Sequence, residues 1–206
     1  MIKNILWDFD GVILNSMHIR DIGFREIFKQ YNLEDVQTLI KYHNINGGLS
    51  RYVKIRYFFE KIIRKPISDD KINKYAAEFS KIMLANLTEK SNLIPDSLNF
   101  IKSNFKNFNF HIVSGSDQKE LRSLCDSLEI ANFFITINGS PTPKDILISN
   151  LIKRYNYDIS ETCLIGDSVN DYEAARSNNI TFFGYNNVKL KEIVNEYITR
   201  IEKHQF

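Results

Sequence analysis

Cysteine is scarce in this chain: Cys125 and Cys163 are the only two among 206 residues. They form no CxxC pair, which excludes a disulfide framework and a cysteine-based zinc module. Cys163 lies in an apolar run and reads as a small buried residue. The four histidines do not cluster, so no zinc ligand set suggests itself. No stretch approaches the roughly 18 consecutive apolar residues that a membrane span needs. The opening segment, MIKNILWDFDG, has too short an apolar run before its acidic pair to act as a secretory signal, and a cytoplasmic location is the expectation. A surplus of one charge is also missing. With 27 Lys+Arg against 25 Asp+Glu, the net charge is +2, whereas nucleic-acid binders usually carry a marked basic excess.

What remains is an ordinary globular composition, 43% hydrophobic and 25% charged, long enough for a substantial core in one or two domains. The charge is unevenly spread. Residues 16–91 hold 14 basic and 9 acidic side chains, and the rest of the chain holds 13 and 16. The first stretch can attract an anionic substrate, or simply present a solvated basic surface.

Periodicity divides the chain in the same place. Residues 2–9 read as a buried strand ending near Gly11. Three amphipathic helical stripes follow: Ile19, Ile22, Ile27 and Tyr31; Tyr52, Ile55, Phe59 and Ile62; Ile72, Tyr75, Phe79, Ile82 and Met83. No strand pattern interrupts residues 16–91. Beyond them, strand-like runs at 110–113, 133–137, 162–165 and 181–185 alternate with helical patterns near 97–105, 119–128, 144–155, 171–178 and 189–202. Such alternation predicts an α/β fold: a Rossmann-like parallel sheet with helices on both faces. The first strand must join that sheet, so residues 1–15 and 92–206 are expected to form the core and 16–91 an inserted helical cap. Hinges are expected at 14–17 and 88–95. Trp7 is expected in the core, and His43 and His111 as structural or exposed residues.

Open parallel sheets bind ligands at the carboxyl ends of their strands, and four polar clusters fall there. Asp8-Phe9-Asp10-Gly11 follows the first strand. Ser114-Gly115-Ser116 follows the second, Lys144 begins the helix after the third, and Gly166-Asp167-Ser168-Val169-Asn170-Asp171 follows the fourth. Asp8 and Asp10, two apart on an extended segment, share a face. Their repulsion calls for a bound cation or a shared proton, unless they only cap a turn. With Asp167 and Asp171 they make an oxygen-rich set suited to Mg²⁺. Asp171 can equally serve as a helix N-cap. Ser114 and Gly115 offer a hydroxyl and approachable backbone N–H groups for a phosphate, or form an ordinary turn. Lys144 can neutralise phosphate and hold the carboxylates together, or be solvated.

These clusters resemble, in order, the four motifs of the haloacid dehalogenase-like hydrolase superfamily: DFDGV, IVSGS, PTPKD and GDSVND. The insertion resembles the helical cap of its phosphoglycolate phosphatase and β-phosphoglucomutase branch. The resemblance implies a Mg²⁺-dependent phosphatase acting on a small phosphorylated metabolite through an aspartyl-phosphate. Asp8 is then the nucleophile and Asp10 the general acid and base, an acid that profits from a raised pKa. The metal site comprises Asp8, Asp10 through its carbonyl, Asp167 and, through water, Asp171. Ser114, Lys144, Gly115 and Gly11 surround the phosphoryl group. An acid at position 10 argues against carbon–halogen cleavage. Relatives commonly carry an Asp at position 15 and a His slightly further on; here Asn15 and Arg20 stand there, with His18 nearby. This displacement counts against the alternative of a phosphosugar mutase, and Arg20 suggests a second anionic group on the substrate. Gly47-Gly48-Leu49-Ser50-Arg51 resembles the substrate-specificity loop of such caps, placing Arg51 on the substrate; its rival is a helix capped by Ser50 with Arg51 in solvent. A phosphate-binding or receiver-like protein that is not an enzyme is the remaining alternative. A monomer and a homodimer are both compatible with the sequence.

Overall fold

A computed structural model describes all 206 residues, Met1–Phe206. One sheet of six strands runs in the order β3-β2-β1-β4-β5-β6, with β1 Asn4–Trp7, β2 Asn109–Asp117, β3 Thr136–Ser140, β4 Thr162–Gly166, β5 Thr181–Tyr185 and β6 Glu196–Ile198. Every pairing is parallel. β1 lies at the centre, with Ile5 opposite Phe110 on one side and Cys163 on the other. Ile5, Leu6 and Trp7 are fully buried, as a strand covered on both faces requires.

Alternation along the strands builds two cores. Ile5, Trp7, Phe110, Ile112 and Ile165 point to one face, packing with α5 (Pro95–Asn104) and α6 (Gln118–Ser127). Leu6, Val113, Leu164 and Phe182 point to the other, against α7 (Lys144–Tyr155) and α8 (Val169–Ser177). Trp7 packs edge-on against Phe110.

Between β1 and α5 stand four helices: α1 Met17–Ile27, α2 Leu33–Ile45, α3 Arg51–Tyr57 and α4 Asp69–Asn86. α3 runs on into a π-helical turn, Phe58–Ile63. An aromatic cluster of Phe28, Tyr31, Phe58, Phe59 and Tyr75 binds these helices together. α2 has no counterpart among the three predicted stripes, although Val36, Leu39, Ile40 and His43 form its buried face. In α1 the buried face is Arg20, Gly23, Phe24 and Ile27, with Ile22 turned outward. The two connections between sheet and helical unit lie side by side. Asn15 N–H donates to Asn92 O at 2.8 Å and Ile94 N–H to Ile13 O at 2.9 Å.

Three local expectations are corrected. β3 begins at Thr136 and extends into Asn138-Gly139-Ser140, while Ala131–Phe133 is a 3₁₀ turn; Phe134 is buried by core packing without belonging to a strand. Residues 189–202 form no α-helix. Leu190, Val194, Ile198 and Ile201 repeat like a helical stripe, yet they fall on a 3₁₀ turn, a connection, β6 and a second 3₁₀ turn. Pairing Glu196–Ile198 with the open edge of β5 satisfies its backbone and hides Ile198. Finally, β2 continues through Ser114, Gly115 and Ser116 with a register irregularity against β3, and Asp117 caps α6.

Candidate active site

The parallel strands deliver Asp8 from β1 and Asp167 from just beyond β4, with Asp8 N–H donating to Ile165 O at 2.9 Å. Asp171 enters from α8. It is the third helical residue of a capping box, not the N-cap; Ser168 caps, and the two residues exchange backbone and side-chain hydrogen bonds. Carboxylate oxygens of Asp8, Asp167 and Asp171 lie within 4.8 Å of one another. Lys144, the first residue of α7, bridges them. Its Nζ donates to Asp8 Oδ1 at 2.7 Å and also to Asp171 Oδ1. Gly11 closes the other side. Its φ is +78°, and a Cβ there would fall 2.0 Å from Asp167 Oδ2, so only glycine fits. Asn186 and Asn187, beyond β5, pin this corner by donating to Gly11 O at 2.9 Å and Asp167 O at 2.7 Å.

Three acids and one lysine form a cluster short of positive charge. Burial, with Asp171 and Asp10 adding and Lys144 opposing, lifts the Asp8 carboxyl to about 7. Burial and then Asp8 and Asp171 push Asp167 well above the carboxylate range. Burial alone would lower the Lys144 ammonium; Asp171 and Asp8 outweigh it and raise it. A hard divalent cation fits this all-oxygen donor set. Asp171 has both oxygens engaged, one by Lys144 and one by Ser168, so it is less free than Asp8 and Asp167 to bind a metal directly.

Asp10 turns the other way. Its Oδ1 accepts from Ser16 Oγ and from Arg20 Nε at 2.7 Å, and its Oδ2 accepts from Ser116 Oγ at 2.5 Å. Burial alone would raise its pKa, but Arg20 and the two hydroxyls hold the carboxyl below its usual value, the reverse of the raised acid expected from sequence. Arg20 continues to Glu120 Oε1 at 3.3 Å, and Arg51 Nη1 reaches Glu120 Oε2 at 2.5 Å. Ser50 does cap α3, accepting from Val53 N–H at 3.4 Å, but Arg51 is buried, not solvated. Its guanidinium lies 4.6 Å from the Phe79 ring centre. Ser114 is buried and its Oγ accepts from Ser116 N–H at 3.1 Å. Gly115 lies beneath the glycine loop: a Cβ there would meet Gly48 O at 2.4 Å. Because the Asp117 carboxylate accepts from Lys119 and Glu120 N–H, the start of α6 is already satisfied, and Gly115 is not a helix N-terminus.

The structure thus gathers Asp8, Asp167, Asp171, Lys144 and Gly11 into one group, and Asp10, Arg20, Arg51 and Gly115 around an adjoining one. Sequence reasoning missed Ser16, Glu120 and Lys54 in the second group, and it named Ser116 in a strand-end cluster and His43 as structural or exposed without giving either a role there. Lys54 had an available signal, since it follows Arg51 by three helical residues and shares its face. A cleft of about 300 Å³ opens beside Lys144 between Gly48, Ser50, Pro141 and Asn170. A groove of about 750 Å³ lies between α1 and α4 and touches none of Asp8, Asp10, Asp167 and Asp171. No helix is long and apolar enough to cross a membrane.

The molecule is thus a parallel α/β core that presents carboxylates at its strand ends, with a helical unit between β1 and α5. The sequence matches the haloacid dehalogenase-like hydrolase family over residues 5–185, and the chain belongs to that family. No curated protein matches it. Among solved structures it is similar to β-phosphoglucomutase from Clostridium difficile, with TM-score 0.76, 17% identity, and 100% and 94% of the two chains covered. It is also similar to a predicted phosphoglycolate phosphatase from Haemophilus somnus, with TM-score 0.72, 16% identity and coverage of 98% and 95%. A third is CbbY from Rhodobacter sphaeroides in complex with xylulose-1,5-bisphosphate, with TM-score 0.75, 13% identity and coverage of 98% and 96%. At these identities the likeness establishes the fold alone.

Proposed function

We propose that this chain is a Mg²⁺-dependent phosphatase of a small phosphate monoester, with residues 1–15 and 92–206 as catalytic core and 16–91 as cap. The carrying observation is the Lys144 ammonium set between Asp8 and Asp171, with Asp167 completing the acidic group. In this reading an Asp8 carboxylate oxygen attacks phosphorus and the bond to the ester oxygen breaks. The electron pair leaves on that oxygen, and Asp10 supplies its proton. Water then cleaves the aspartyl-phosphate, with Asp10 accepting the proton. Because Arg20 and two hydroxyls keep Asp10 ionised at rest, it is ready as the base; to act as the acid it must first take up a proton from solvent, which requires that grip to loosen. Lys144, Ser114 and main-chain N–H groups near Gly11 and Gly115 take the phosphoryl oxygens. Asp8, the Asp10 carbonyl and Asp167 would hold Mg²⁺, which supplies charge neutralisation between nucleophile and phosphoryl group, and Asp171 supports them.

The family match and the fold shared with phosphatases support this reading. The test is release of phosphate from p-nitrophenyl phosphate. Release requires a divalent cation and falls by roughly a thousandfold or more in Asp8→Asn. Turnover that survives a chelator or that substitution sinks the mechanism.

A further inference from the structure

The cavity beside Asp10 has a charge imbalance that the proposed chemistry does not use. Arg20 and Arg51 are matched by Asp10 and Glu120. Lys54 has no carboxylate partner. Its Nζ meets only His43 Nδ1 at 2.8 Å and Gly47 O at 3.1 Å, and the residue is 2% exposed. Arg20 Nη2 and Arg51 Nη2 are also buried without an acceptor, in residues 5% and 3% exposed. All three side chains line one cavity with Asp10, Gly115 and Ser116. Burying an ammonium without a counter-charge is expensive. Burial, followed by the nearby Arg20 guanidinium, pushes Lys54 down to about 7. The arrangement lacks one anion, and unpaired guanidinium N–H groups are suited to the oxygens of a carboxylate or phosphate.

We infer that Lys54 is a specificity-determining residue: with Arg20 Nη2 and Arg51 Nη2 it receives a second anionic group, carboxylate or phosphate, carried by the phosphate ester. Glu120 is the positioning residue of this subsite. Reaching from the core to both arginines of the helical unit, it holds their Nη1 atoms and leaves Nη2 free. The free space is only ≈ 20 Å³, about one water-sized group, so the anion enters as the helical unit moves aside. This inference rests on the phosphatase reading for the other end of the ligand.

Two pairs of probes test it: 3-phosphoglycerate against glycerol 3-phosphate for the carboxylate, and fructose 1,6-bisphosphate against fructose 6-phosphate for the phosphate. Phosphate release and calorimetric binding are measured for the unaltered protein, Lys54→Met and Lys54→Arg. The expected result is a preference of about tenfold or more for the charged member of one pair, lost in Lys54→Met and kept in Lys54→Arg. Equal treatment of both members of both pairs overturns the inference, and that comparison needs no variant to fold. An unchanged preference in Lys54→Met also overturns it. Hydrolysis without preference leaves the phosphatase standing and removes the subsite. Preferential binding without any hydrolysis does the opposite.

Discussion

The two halves of the site differ in what they lack. At the strand ends Asp8, Asp167 and Asp171 face one Lys144, a cluster deficient in positive charge. On the helical side Arg20, Arg51 and Lys54 face Asp10 and Glu120, a cluster deficient in negative charge. In the proposed reading a cation completes the first and a substrate anion the second, so two opposite charge deficits lie a few side chains apart. Each half can be disturbed separately, and the disturbances should differ in kind.

The largest effect is expected from Lys144→Met. It leaves Asp8 and Asp171 buried together without their shared cation. Breaking a buried pair costs about 3–5 kcal/mol, and loss of phosphoryl neutralisation should lower turnover by about a hundredfold or more. Urea unfolding without metal measures the first and aryl-phosphate hydrolysis the second. Because protonation relieves abutting carboxylates, the stability loss should be larger at pH 8 than at pH 5.5. Equal losses at both pH values would contradict a cluster short of positive charge.

A smaller effect, opposite in kind across the two halves, is expected from a pair of glycine substitutions. Gly11→Ala places a methyl 2.0 Å from Asp167 Oδ2 at a φ of +78°. It should cost about 1–3 kcal/mol in strain and lower kcat, with activity demanding more metal. Gly115→Ala places its methyl 2.4 Å from Gly48 O, lifting the glycine loop that carries Arg51 toward the site. There KM should rise more than kcat falls, because binding is disturbed before chemistry. Steady-state kinetics over a metal titration separates the two. If both variants alter the metal requirement equally, the division into halves is wrong.

The same division governs what the sequence made legible. The core half is built from short-range signals. Asp8, Lys144 and Asp167 each sit at or next to a strand end or helix start, and Gly11 lies in the turn that follows β1, where burial and turn chemistry leave a local pattern. The helical half is assembled by distant contacts. Glu120 meets Arg20 across 100 positions and Arg51 across 69, and nothing around it distinguishes it from any acid in the first turn of a helix. Arg51 was visible through its glycine loop, and Lys54 only through helical spacing from it. The C-terminal error has the same origin: a four-residue apolar repeat at Leu190, Val194 and Ile198 cannot record that the edge of β5 is open to pairing.

The smallest expected effect is a difference in pH response between the halves without metal. Asp8 is raised to about 7 from an ordinary value of 3.8. Between those values the folded chain binds more protons than the unfolded one, so the core cluster gains stability as pH falls through the window. His43 is held neutral in the helical half. Burial, then Lys54 and Arg20, lower it to about 2, while Asp21 Oδ1, at 3.7 Å from its Nε2, is too far to hydrogen-bond. Below the ordinary value of 6.5 the unfolded chain therefore binds the extra proton, and this half loses stability as pH falls. Lys54, lowered from 10.5 to about 7, adds a loss in the same direction between those values. Hydrogen exchange at pH 7.5 and 5.5, corrected for intrinsic rates, reads the two halves separately. On acidification, protection at α2 and α3 should fall relative to protection at the carboxyl ends of β1 and β4. A divalent cation should narrow the gap by stabilising the core cluster at pH 7.5, where its carboxylates are most exposed to one another's charge. Parallel changes in both regions would show that the chain opens as one unit and that its opposed charge deficits are not energetically separable.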